Sequence, residues 1–216
     1  MILYLYALVD RFVDLEGLTG VAAEALDLLD APKARVVAGR LDASPVVDRA
    51  TLEAQDRLVR ALHDRTDALL PMRFGTACDD EEAVRRAIEI IAAGLPSRFD
   101  EVRGKDQMTL RIFRRRGASP GSAAPAVSTL KGTEYLLARA QPPLEIVPLL
   151  DATRELQRAT RVERGHTSGV LATVYHLIER GDADEYDRRV NGAASELSDL
   201  AVRLSGPSPA YAFARF

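Results

Sequence analysis

The chain has 216 residues, 47% of them hydrophobic and 28% charged, with a formal net charge of −3 and one cysteine. That length allows one generous domain or two small ones, with a core large enough to need no staples. The balance excludes a global basic field for nucleic acid or an anionic membrane, and a lone Cys78 excludes an intrachain disulfide and any Cys-rich zinc site.

The opening MILYLYALVDRF is apolar for nine residues and has neither a basic leader nor a small-residue cleavage site. It is too short to span a bilayer and reads as a first β-strand, Ile2–Val9. No other run approaches the ~18 apolar residues of a span, so the sequence predicts a soluble protein. Single-cysteine usage suits the reducing cytoplasm.

Residues 16–31 are ambiguous, because Ala and Leu favour helix while Gly20 and Pro32 bound the segment tightly. Ala34–Leu41 reads as a strand with Gly39 as a possible bulge. Ser44-Pro45 predicts a helix start, with Ser44 as N-cap, running to about Leu70 along a stripe of Leu58, Leu62 and Leu69. In LPMRFGTACDDEEAV, Leu70–Phe74 reads as a short buried strand, Gly75 as a turn, and the acids as the start of the next helix. Val84, Ala87, Ile88, Ile91 and Leu95 give that helix its apolar face, ended by Gly94 and Pro96. Met108–Phe113 alternates as a strand, pointing Met108, Leu110 and Ile112 one way.

The Gly/Ser/Pro/Ala-rich run 117–126 predicts a linker. The expected organisation is a first α+β domain over 1–117, a linker over 118–127 and a second α+β domain over 128–216. Within the second, Gly132–Arg139 reads as helix and Pro148 as starting or kinking another, with Leu149, Ala152, Thr153 and Leu156 on one face. Val170–Ile178 is a strong strand, Asp182 caps a helix to about Ser198, and the end reads as strand, Gly-Pro corner and short aromatic strand.

Few residues support chemistry. A P-loop needs G-x-x-x-x-G-K-[ST], and after Gly75 stand Asp79, Asp80, Glu81 and Glu82, which would repel a phosphate and instead suit a helix N-terminus. Those carboxylates also oppose a Cys78 thiolate. His63, His166 and His176 form no metal-ligand spacing. Arg111 and Arg114–Arg116 read as a solvated sheet edge, since no RNA-recognition strand motif accompanies them. Asp182, Asp184, Glu185 and Asp187 lack the glycine and terminal glutamate of a calcium loop.

Five segments in register carry a resemblance over essentially the whole chain. MILYLYALV, LPMRFGT after a His-bearing helix, the strand after Gly104-Lys105, GTEYLLAR and SGPSPAYAF together resemble the gas vesicle protein F/L family. Ser208 and Ala210 depart from the family's G-P-W-P-P-Y-x-F ending, and Pro142, Pro143 and Pro148 interrupt its long charged helix. The resemblance implies a two-domain α+β protein, ferredoxin-like first and mixed with helical arms second. It further implies a non-enzymatic accessory or minor structural protein of gas vesicles, with no cofactor. The implied partners are the main shell protein and other accessory proteins, not nucleic acid or lipid membrane.

Such a binder could cap an edge strand or apolar helix of a shell subunit before assembly. The expected partner-binding residues are Arg73, a charge in need of a partner, and the aromatics Tyr211, Phe213 and Phe216. The rival reading is a small-molecule or catalytic site around Arg73, Cys78 and His63, which requires the three to converge. A second rival is RNA binding on a ferredoxin-like sheet.

Overall fold

The computed structural model describes residues 1–115, 143–165 and 169–214. The predicted linker over 118–127 and the predicted helix Gly132–Arg139 lie outside them, as do His166, Arg116 and Phe216. The chain forms two compact units, Met1–Gln107 together with the tail from Pro207, and Met108–Gly206. It is an α+β protein, with an antiparallel sheet in each unit.

In the first unit, β1 (Ile2–Val9), β2 (Leu26–Ala31), β3 (Ala34–Leu41) and β4 (Leu69–Pro71) lie in the order β2-β3-β1-β4, and β5 (Ala77–Cys78) also pairs with β1. Every residue from Leu3 to Val9 is buried, as a central strand covered on both faces requires. The register steps from Leu5↔Ala38 to Ala7↔Val37, leaving Tyr6 as an extra residue on β1. This bulge shifts the side-chain alternation, so that Tyr4, Tyr6, Ala7 and Val9 all join one core cluster. The bulge lies on β1, whereas Gly39, where the sequence suggested one, pairs in register with Tyr4.

Helix α1 (Arg49–Asp64) covers that face with Leu58, Val59 and Leu62. It starts later than the Ser44-Pro45 signal implies. The Asp48 side chain accepts from the Thr51 N–H, and Thr51 bonds back to the Asp48 N–H. That reciprocal cap outcompetes Ser44, because Val46 and Val47 between them favour extended backbone. The helix also stops earlier, at Arg65, so Leu69 and Leu70 belong to a strand.

The opposite face carries α2 (Glu81–Ile91), capped by Asp80 accepting from the Ala83 N–H, and α3 (Leu95–Val102). Arg40, on that face of β3, bonds Asp27 of β2 and Glu81 of α2. Val84, Ile88, Leu95, Phe99 and Val102 are buried there. Pro96 begins α3, where a missing N–H costs nothing, rather than ending the periodic run.

In the second unit, β6 (Lys105–Arg114), β7 (Ala159–Arg164), β8 (Val170–Glu179) and β9 (Leu200–Ser208) are ordered β7-β8-β6-β9. Met108, Leu110, Ile112, Ala172, Val174 and Ile178 pack against α4 (Val147–Thr153) and α5 (Ala183–Ser195). Pro148 starts α4. β6 is an interior strand, so Arg111 and Arg114 stand on no sheet edge: Arg111 is exposed, Arg114 bonds Glu145, and Arg115, just past the strand, donates to the Leu200 carbonyl. The strand β9 runs through Gly206-Pro207, and Tyr211–Phe213 form a turn instead of the expected aromatic strand.

Candidate partner-binding site

The segment LPMRFGTAC lies antiparallel along β1 as an interrupted strand. β4 pairs Leu69, Leu70 and Pro71 with Val9, Leu8 and Ala7, and β5 pairs Ala77 and Cys78 with Tyr4 and Leu3. Between them the Met72 N–H donates to the Tyr6 carbonyl and the Leu5 N–H to the Thr76 carbonyl, both at 2.9 Å. Arg73, Phe74 and Gly75 are therefore looped out where β1 carries its bulge. The loop closes through the Thr76 N–H and hydroxyl, which both bond the Arg73 carbonyl at 3.1 and 2.8 Å. Gly75 takes φ +85°, the left-handed backbone needed at the third position of such a turn.

A buried polar relay pins this loop to α1. The Tyr4 hydroxyl donates to Gln55 Oε1 at 2.7 Å and accepts from the Gly75 N–H at 2.8 Å. Gln55 Nε2 donates to the Met72 carbonyl at 3.2 Å. Burial raises the Tyr4 pKa, with the Gly75 N–H pulling the other way, so the phenol stays protonated and can do both. The Phe74 ring meets Tyr4 edge-on at 6.0 Å, and Tyr4 meets Tyr6 at 5.1 Å.

Arg73 sits outside the strand, on the exposed tip of the turn. Among the described residues its guanidinium makes no ion pair, so it does not have the buried partner that a strand position would demand. Cys78 is half-buried; burial and then Asp79 and Asp80 push its thiol pKa up, away from a thiolate. His63 is buried at the end of α1, with Nε2 2.8 Å from Asp106 Oδ1.

These three residues do not converge. Cys78 pairs with Leu3, whereas the His63–Asp106 pair belongs to the Val9–Asp10 end of β1. There Arg103 bonds Asp10, and the Gly104 N–H bonds the Asp67 carbonyl just ahead of β4. Six residues of strand separate those ends, about 20 Å.

Tyr211 and Phe213 are built into the first unit. Phe213 is buried and Tyr211 packs on the Tyr4–Leu58 cluster, where burial foremost and then the Asp56 charge raise its hydroxyl pKa. Gln107 holds the tail, its Oε1 accepting from the Ala212 N–H at 2.8 Å and its carbonyl from the Ser208 hydroxyl at 3.2 Å. Arg60 adds a bond to the Pro207 carbonyl at 2.9 Å.

Sequence reasoning missed Tyr4 and Gln55 as the residues that position the loop. A signal for Gln55 existed: it falls three residues before Leu58 and seven before Leu62, a polar side chain on the buried stripe. Among the described residues, no group of three or more His, Cys, Asp or Glu is placed to hold a metal ion, and no helix is long and apolar enough to cross a membrane.

A family described as "Gas vesicle synthesis protein GvpL/GvpF" matches residues 2–144 and 145–215. Gas vesicle protein F2 of Halobacterium salinarum is 23% identical over 217 residues, covering 98% of this chain and 91% of that protein. The crystal structure of GvpF from Microcystis aeruginosa superposes with a TM-score of 0.78 at 18% identity, covering 100% of this chain and 99% of that one. GvpF from Anabaena sp. PCC7120 gives 0.79 at 19% identity, covering 100% and 96%.

Proposed function

We propose that this chain, which belongs to the gas vesicle synthesis protein GvpL/GvpF family, assists gas vesicle assembly by binding the hydrophobic main shell protein. The observation that carries the reading is the family match from residue 2 to residue 215, with both units included. The relatives bear gas vesicle names, and the fold is that of two solved GvpF proteins.

The chemistry suits a protein that binds rather than transforms. Arg73, Cys78 and His63 are dispersed, and the thiol is held protonated. A shell subunit that is strongly apolar before assembly needs a soluble partner to cover its surface. The protein acts in the cytoplasm in association with the growing vesicle, and other gas vesicle proteins are its further partners.

Two measurements test this together. Co-purification should recover the main shell protein with the tagged chain, and deletion of the gene should abolish or deform vesicles seen by electron microscopy. Normal vesicles in the deletion strain, with no shell protein recovered, would refute the proposal.

A further inference from the structure

We infer that residues 18–24 form a strap over the first sheet that opens separately from it, hinged at Gly17 and Ala25 and latched by Glu24 on the Tyr6 hydroxyl. The device belongs to the first unit alone and does not rest on the partner proposed above.

From Asp10 to Ala25 the chain makes neither helix nor strand, a stretch longer than most connections in compact domains. Two separate sets of bonds order it. Arg65, just past α1, donates from Nη1 to the Asp14 and Glu16 carbonyls at 2.9 and 2.8 Å, fixing the first half. The second half is fixed by Tyr6, whose hydroxyl donates to Glu24 Oε1 and accepts from the Val21 N–H at 2.9 Å. Burial first, and then the Glu24 bond, push the Tyr6 pKa up, so the phenol keeps the proton it donates. Among the described residues, the hydrogen bonds from 18–24 to the sheet all pass through that phenol. Gly17 stands between the two halves at φ +73°, with nothing within 4 Å of an added Cβ. Ala25, exposed and just ahead of β2, is the far hinge.

The latch is tightly fitted and the strap behind it is shallow. A side chain at buried Gly20 would collide with the Glu24 carboxylate and the Tyr6 hydroxyl, and one at Gly39 would collide with Glu24. The carboxylate is thus keyed between two glycines. Leu18 and Val21, by contrast, are only partly buried against the cluster that holds Tyr4, Tyr6 and Val37, and Ala22 and Ala23 are exposed. Ala23 takes φ +62°, a left-handed backbone that a Cβ disfavours. Little apolar burial, no ladder bonds and one strained residue make this segment cheaper to open than the sheet beneath it. Opening lifts Leu18 and Val21 off the cluster and frees the Gly39 stretch of β3.

Hydrogen exchange of the full chain, followed by NMR in low urea with folding checked by circular dichroism, tests this. The Gly20 and Val21 amides should exchange at least about tenfold faster than the ladder amides of β1 and β3, with a much smaller urea dependence. Glu24→Ala removes the latch and Gly39→Ala displaces it, and both keep the Tyr6 acceptor of Val21. Each should speed Gly20 and Val21 by about tenfold to a hundredfold, with the urea dependence still small. Arg65→Ala should leave these two amides unchanged, because the bonds it removes lie on the other side of Gly17 and persist when the strap is open. If Gly20 and Val21 share the urea dependence of the ladder, the strap opens only when the unit unfolds, and the proposal fails. An unaltered rate in Glu24→Ala would refute the latch, and an Arg65→Ala effect as large as that of Glu24→Ala would refute the hinge.

Discussion

A methyl group added at Gly39 would come within 2.4 Å of a Glu24 carboxylate oxygen and 2.8 Å of its Cγ, whereas one added at Gly75 would meet nothing within 4 Å. Glu24 reaches across β3 to bond the Tyr6 hydroxyl, and its other oxygen accepts from the Ala22 N–H at 2.9 Å. Gly39 is therefore kept small by a side chain, and Gly75 by its φ of +85°. Gly39→Ala should cost about 1–3 kcal/mol by overpacking, and most of that cost should vanish when Glu24 is also replaced by alanine. Urea denaturation of the four-member cycle measures it; an undiminished cost in the Glu24→Ala background would refute the steric account. His176 is the residue whose burial makes a pH effect. It is buried in the second unit, its Nδ1 2.6 Å from the Tyr186 hydroxyl and its Nε2 without a partner among the described residues, and burial lowers its pKa to about 4. A folded-state pKa below the unfolded value of about 6.5 means the neutral form is favoured by folding. Its contribution is complete above pH 6.5 and is lost progressively as pH falls towards 4, by about 3 kcal/mol in total. Chemical denaturation across pH 4–7 should show that decline, and His176→Gln should flatten it.

At the scale of elements, the loop between β4 and β5 depends on a phenol four residues into the chain. Tyr4→Phe leaves the Gly75 N–H and Gln55 Oε1 without that partner, so it should destabilise by about 1–3 kcal/mol. Amide exchange should rise at Gly75 more than at Leu70, whose ladder partner on β1 is untouched. The strands Ile2–Val9, Ala34–Leu41 and Val170–Glu179 were legible because apolar, β-branched and aromatic residues run between clear stops. β2 was not, since LDLLDA offers only six residues of weak alternation beside an Ala-rich approach. Helix limits failed where two local signals competed: Asp48 over Ser44 at the start of α1, and Pro96 as a beginning rather than an end. Asp182 stands at the N-cap of α5, as its position suggested, without making a side-chain capping bond. The site was half legible. Arg73 and its turn glycine stand out in the sequence, but Tyr4 lies 71 residues from Gly75 and only the fold joins them.

At the scale of the whole molecule, the chain's two compact units do not divide at a single point. The first takes back the tail from Pro207, with Phe213 in its core and Ala212 bonded to Gln107. A residue near the end of the chain should therefore control the stability of its beginning. Phe213→Ala should cost about 3–5 kcal/mol, and hydrogen exchange should speed up across Met1–Gln107 while β7 and β8 keep their protection. Loss of protection confined to β7 and β8 would contradict the assignment. The aromatic residues of this tail looked in sequence like a closing strand or an interface anchor. Alternating Tyr, Ala and Phe after Pro209 suggested a strand, but the residues fold into a turn, with the Phe213 and Ala214 N–H groups both bonding the Ala210 carbonyl.

That returning tail sets an order of events during synthesis. Gln107 leaves the ribosome about a hundred residues before Ala212, which at 5–20 residues per second is on the order of 5–20 s. For that interval the first unit has its sheet and helices but not Phe213, and the surface around Tyr4, Leu58 and Asp56 awaits Tyr211. The nascent protein thus passes through a stage in which it displays an unfilled apolar socket of its own. The first unit closes its core only when Tyr211 and Phe213 emerge.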